Sequence, residues 1–170
     1  MNINFIKIGE FMENFYQSML FNIKKHPFLK NTFINFTRYI PVITFIIYPI
    51  VIIYLFFTNN SLLLETIIRP CIAFTVVTIF RKIINRKRPY EAMDIEPLIK
   101  HKQGESFPSR HTVSAFAIAF ACLKVSLPLG IVMLLLAITV SLSRILCGVH
   151  YISDVISAIV IAFIIGFINI

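Results

Sequence analysis

Five long apolar stretches, 39–57, 62–80, 113–127, 129–142 and 152–170, leave this chain little choice of solvent. A helical bilayer crossing takes about 20 mostly apolar residues. A chain of 170 residues has too little polar sequence to wrap that many buried helices in a water-facing surface. Composition agrees: 58% of residues are hydrophobic, 14% are charged, and mean hydropathy is +0.83. The expected fold is all-α, a polytopic transmembrane helix bundle with four or five crossings, in a single domain over 1–170.

Residues 1–38 differ from the rest. Phe5, Ile8, Phe11, Met12, Phe15, Met19 and Leu20 recur at roughly helical spacing, with Lys7, Glu10 and Glu13 between them. That pattern suits an amphipathic N-terminal helix lying at the interface or partly inserted. Its first 13 residues mix charges with apolar residues, without the uninterrupted apolar core of a cleavable signal, so the apolar helices are expected to target the chain themselves. The remainder, 39–170, is expected to form the helical bundle. Only Thr58, Asn59, Asn60 and Ser61 join its first two apolar segments, which implies an antiparallel hairpin, and Pro49 and Pro70 are expected to bend its helices. Glu65 and Arg69, four apart, can form a structural intramembrane ion pair.

The net charge of +8 does not point to nucleic acid, because no basic-aromatic module accompanies it and basic residues at membrane ends meet anionic headgroups. Cys71, Cys122 and Cys147 are odd in number, lie in or beside apolar runs and lack metal-ligand spacing, so they read as small hydrophobes.

Polar chemistry concentrates in three clusters, at 81–89, 108–111 and 143–154, each at the end of an expected helix. With short connections and antiparallel neighbours, all three fall on one face of the bundle. In the first, Arg81 and Arg88 are seven apart, project from nearly the same side of a helix, and precede Pro89, which should end it. In the second, Ser109 suits the N-cap of the following helix, whose free N–H groups form an anion site, with His111 close by. In the third, Ser143 and Arg144 precede His150 and Asp154, which are four apart, so a helix would set carboxylate beside imidazole. Such a carboxylate fixes the tautomer and leaves the other ring nitrogen as base or nucleophile. Arg81, Arg88, Arg110 and Arg144 supply the planar, forked donors that bind phosphate, so a phosphoryl group is the inferred ligand.

These residues resemble the three signatures of the type-2 phosphatidic acid phosphatase superfamily of membrane lipid phosphatases, which is related to the vanadium haloperoxidases. The signatures are Lys, six residues, Arg-Pro; Pro-Ser-Gly-His; and Ser-Arg, five residues, His, three residues, Asp. Here they read Arg81 with Arg88-Pro89, Pro108-Ser109-Arg110-His111, and Ser143-Arg144 with His150 and Asp154, in the family's order. Arg81 stands where the family has Lys, and Arg110 where it has Gly. The resemblance implies that His150 attacks phosphorus, Asp154 orients it, and His111 protonates the leaving oxygen, while Arg81, Arg88, Ser109, Arg110 and Arg144 hold the phosphate. It implies no metal and no cofactor, since the arginines supply the positive charge.

The expected partners are a phosphorylated lipid and the surrounding membrane lipids, with no nucleic acid. The lipid is a monoester or a diphosphate such as phosphatidic acid, phosphatidylglycerol phosphate or a polyprenyl diphosphate. A vanadate-dependent peroxidase is a rival reading, but that branch holds large soluble proteins; a lipid-binding scaffold is another, opposed by the intact His111, His150 and Asp154. The expected location is the cell membrane. Lys7, Lys24, Lys25, Lys30 and Arg38 would turn the site inward if the N-terminal segment does not cross, whereas relatives of the family generally face outward, and the outer face is the expectation taken here.

Overall fold

The structure, a computed structural model, describes residues 3–168, all helices and connections with no strand among the described residues. The elements in chain order are α1 (Ile3–Lys25), α2 (Pro27–Phe57), α3 (Leu63–Ile84), the single turn α4 (Pro89–Ala92), α5 (Arg110–Val125), α6 (Leu127–Leu146) and α7 (Ile152–Phe167). The five long helices after α1 match the five apolar stretches in order. Residues 169 and 170, at the end of the last stretch, lie outside the described residues.

The amphipathic segment is shorter than the expected 1–38. Lys24 and Lys25 suit the negative end of α1, and Pro27 occupies the first turn of α2, where its missing N–H costs nothing. Residues 27–38 therefore open the 31-residue α2. The buried stripe of α1 is Tyr16, Leu20 and Ile23, while Phe11 and Phe15 face outward; the N-terminal positions Phe5 and Ile8 lie outside the described side chains. Pro41 and Pro49 in α2 and Pro70 in α3 sit inside helices that continue through them.

Every residue of α5 from Thr112 to Cys122 is buried, and α5 packs against α3, α6 and α7. Ala115, Ala117, Ala119 and Ala121 make this close approach possible, since helices in lipid associate through small residues. Glycines serve the partners likewise: a Cβ at Gly130 of α6 would lie 2.5 Å from Leu123 Cα, and one at Gly166 of α7 would lie 3.2 Å from Phe120 Cβ. Outward, α2, α6 and α7 present Phe45, Ile50, Phe56, Leu135, Ile138, Ile156, Phe163 and others to the surroundings. An apolar surface of this extent belongs in hydrocarbon. The α2 and α6 helices and the stretch Leu63–Ala92 have the length and apolarity of membrane spans.

At the end of the bundle away from the polar clusters, Glu65 pairs with Arg69 as expected, and also with Lys124 of α5 at 2.9 Å. Arg69 Nη1 donates to the carbonyls of Ile165 and Ile168, so this ion pair also satisfies orphan acceptors at the end of α7. Cys122 and Cys147 are buried, Cys71 faces outward, and all three are free.

Candidate active site

The three polar clusters meet at one end of the bundle, where α3 and α6 end and α5 and α7 begin. A cavity of about 130 Å³ opens there among Arg81, Arg88, Arg110, His111 and His150, and residues 101–105 of the connecting loop close it. Convergence follows from the alternation of antiparallel helices, which turns spacing along the chain into proximity at one face.

Local backbone differs from expectation at two points. Arg81 and Arg88 do not share a helix: Asn85 takes the left-handed conformation (φ 40°, ψ 45°) and donates its N–H to Arg81, ending α3 before Arg86. Asn tolerates that conformation better than most residues. Arg88 precedes a proline and is therefore extended, and Pro89 starts α4 instead of ending α3. Likewise, α7 begins at Ile152, so His150 precedes it, in the connection from α6. Asp154 still reaches His150, because its Oδ2 turns back along the first turn to accept the Tyr151 N–H at 3.0 Å and lies 3.4 Å from His150 Nδ1.

His150 is buried, and with Nδ1 turned to Asp154 its Nε2 is the ring nitrogen left for the cavity. Burial pushes the imidazole below its ordinary range, while Asp154 pulls it back up. Burial wins, so the ring is neutral at pH 7. His111, on the first turn of α5, lines the same cavity.

Arg88 is fixed by its Nε, which donates to the Lys102 and Gly104 carbonyls, and by Nη1, which donates to Val149; Nη2 has no partner among the described residues. Arg81 donates from Nη1 to the Pro108 carbonyl, and its buried Nε has no partner there. Arg110 begins α5 in ordinary helical conformation, which glycine is not needed to adopt, and its guanidinium lies 5.7 Å from the centre of the Phe74 ring.

Two expected residues stand back from this cavity. Ser109 occupies the N-cap position, but its side chain makes no capping bond: its Oγ accepts from Thr112 at 3.0 Å, and its N–H donates to the Asp154 carbonyl, tying α5 to α7. Arg144 lines a neighbouring cavity that also has His111 in its wall; its Nη2 donates to the Thr37 carbonyl, and its buried Nε has no partner among the described residues. Buried guanidinium groups with unmet donors are costly without an anion.

Sequence reasoning missed the groups that hold Asp154 and His150. Arg86 Nη1 donates to Asp154 Oδ1 at 2.8 Å while its guanidinium stacks 3.9 Å from the centre of the Tyr151 ring, and Ser106 donates to Oδ2 at 2.6 Å. From α1, Tyr16 donates to the His150 carbonyl at 2.9 Å. Glu91 accepts from the N–H groups of Arg88 and Gly104, shaping the loop around the Arg88 guanidinium. No local signal separates Arg86 from its neighbours in a basic run, or Tyr16 from a generic amphipathic helix; Asn85 and Gly104, both in left-handed conformations, carry a hint of the tight backbone.

Fold and site together define a helical membrane protein with a guanidinium-lined cavity facing a carboxylate-held histidine. The chain belongs to the PAP2 superfamily, whose sequence model matches residues 56–170. Among curated proteins it is similar to the undecaprenyl-diphosphatase BcrC of Bacillus subtilis (strain 168), at 40% identity over 80 residues, 47% of this chain and 42% of that protein. It is also similar to the bacitracin transport permease protein BcrC of Bacillus licheniformis, at 37% identity over 103 residues, 58% of this chain and 49% of that protein. The matched stretches thus span about half the length of these relatives. Among solved structures, Aquifex aeolicus LpxE superposes with a TM-score of 0.70 at 24% identity, covering 95% of this chain and 91% of that one. A PAP2 type phosphatidylglycerolphosphate phosphatase from Bacillus subtilis gives 0.72 at 22% identity, covering 98% and 84%. At these identities the likeness is one of fold.

Proposed function

We propose that this chain is an integral-membrane lipid phosphatase working through a phosphohistidine on His150. The observation that carries the reading is the buried His150–Asp154 pair, whose free Nε2 opens onto a 130 Å³ cavity lined by Arg81, Arg88 and Arg110. Nε2 attacks phosphorus and forms the N–P bond as the bond to the lipid oxygen breaks; His111 gives that oxygen its proton. Asp154 stabilises the imidazolium that forms. The three arginines neutralise the equatorial oxygens, Ser109 holds the start of α5 against α7, and Arg144 adds positive charge beside His111. In the second half, water attacks the phosphohistidine with His111 taking its proton, which frees inorganic phosphate and restores His150.

Of the candidate substrates, a polyprenyl diphosphate is favoured, since the Bacillus subtilis relative is an undecaprenyl-diphosphatase. Such a lipid would meet the site at the outer face of the cell membrane.

Purified protein in detergent, assayed for phosphate release from a panel of diphosphate and monoester lipids, tests the reading. Turnover should persist in EDTA, because guanidinium groups supply the charge, and vanadate should block it as a trigonal-bipyramidal mimic of the transferred group. His150→Ala should lose both turnover and an acid-labile, base-stable phosphoenzyme. Failure to release phosphate from any lipid in the panel would remove the phosphatase reading.

A further inference from the structure

Two cavities adjoin at the ring pair His101 and His111, whose centroids are 6.1 Å apart. One is the 130 Å³ cavity already described; the other holds about 330 Å³ and runs along α2. Its wall is apolar at Pro41, Val42, Phe45 and Ile99, yet it also carries two guanidinium groups, Arg38 and Arg144. Arg144 is only 3% exposed and its Nε is unpaired, while Arg38 is exposed and makes no ion pair among the described residues. Neither His101 nor His111 has a ring hydrogen bond among the described residues. The His101 backbone is held by Tyr90, whose hydroxyl donates to its carbonyl at 2.9 Å.

The first cavity is too small to take more than a headgroup. In-line attack from His150 points the leaving oxygen away from His150, and because His111 and His101 line both cavities, the second cavity is the adjoining space for whatever that oxygen carries. The monophosphate of a polyprenyl alcohol would place neutral carbon there, against two cations. A diphosphate would place its second phosphate there, followed by hydrocarbon, and that order of charge then apolar surface is the order the cavity offers. We infer that Arg38, Arg144 and His101 form a subsite for the phosphate that remains on the lipid, with Pro41, Val42, Phe45 and Ile99 taking the first carbons of the chain. This rests on the phosphatase reading above.

The chemistry is consistent. As the bond to the bridging oxygen breaks, the negative charge that develops before His111 protonates that oxygen is shared with the retained phosphate, and cations beside that phosphate stabilise it. His101 contributes a hydrogen bond as a neutral ring, since burial first, and the charge of Arg88 and Arg144 next, lowers it to about 4.

The test compares the full chain in detergent on a polyprenyl diphosphate and on the monophosphate of the same alcohol, for wild type, Arg38→Met, Arg38→Lys and His101→Asn. A charge-assisted hydrogen bond to phosphate is worth roughly 10- to 100-fold, so Arg38→Met should lower the ratio of kcat/KM for diphosphate over monophosphate by about that factor. Arg38→Lys should recover part of the ratio, and His101→Asn should lower it in the same direction. A ratio unchanged in Arg38→Met, or both substrates falling in parallel, overturns the subsite and leaves the phosphatase standing. A wild-type chain that hydrolyses neither of these two lipids overturns the subsite, and only failure on every lipid of the panel above overturns the phosphatase reading as well.

Discussion

Asp154 has no exposed surface and accepts from Arg86, Ser106 and the Tyr151 N–H while facing His150. Removing one donor from a buried carboxylate leaves charge unmet, so Arg86→Met should lower kcat about tenfold or more, with a smaller effect on KM, because Arg86 does not line the phosphate cavity. Rapid-quench measurement of phosphoenzyme formation checks this, and a fall confined to KM would place Arg86 on the substrate instead. The pH profile carries a second prediction. His150 must be neutral to attack, and burial holds its pKa below the ordinary 6.5, so the acid limb of kcat/KM should fall below that pH. Asp154 opposes the depression, hence Asp154→Asn should move the limb further toward acid while lowering the rate. Comparing the two enzymes on one substrate cancels the ionisation of the substrate itself; a limb that moves toward neutral pH would contradict the assigned pairing.

Packing between elements rests on residues without side-chain bulk. At Gly130 a methyl group would meet both the side chain and the Cα of Leu123, and backbone cannot swing aside as a flexible side chain can. Gly130→Ala should therefore part α6 from α5 and cost about 1–3 kcal/mol. Gly9→Ala, on the exposed side of α1 with nothing within 4 Å, should leave stability unchanged or slightly raised. Thermal unfolding in detergent distinguishes the pair, and equal midpoints would show that the α5–α6 contact yields more than its geometry suggests. The α1 helix matters to the site for another reason: Tyr16 holds the His150 backbone, and Lys24 pairs with Glu96 across the same junction at 2.6 Å. An element expected to lie at the interface or be partly inserted thus braces the His150 backbone.

For the whole molecule, the α2–α3 turn and the phosphate cavity lie at opposite ends of α3, since Ser61 precedes its first residue and Arg81 lies in its last turn. A cysteine at exposed Ser61, in a Cys71→Ser background that leaves only the buried Cys122 and Cys147, reports which compartment that turn faces. If the site faces outward as proposed, an impermeant thiol reagent should label Ser61→Cys only after the cells are opened. Labelling of intact cells would place the cavity in the cytoplasm.

What the sequence determined by itself is what depends on local composition and spacing. Continuous apolar runs of about 20 residues that cross hydrocarbon must be helical, because only a helix satisfies its backbone polar groups within one segment. Antiparallel alternation then carries Arg81, Arg88, Arg110, His111 and His150 to one end, so most of the cavity was legible before any coordinates. The tertiary structure decided matters of partner choice. It ended α3 at Asn85 and not at Pro89, chose Arg86 out of a basic run to hold Asp154, put Arg144 in the wall of a neighbouring cavity, brought Tyr16 across 134 positions to His150, and set that second cavity beside the first at His101. Each of these depends on contacts between residues far apart in sequence, which no helical period or motif spacing encodes.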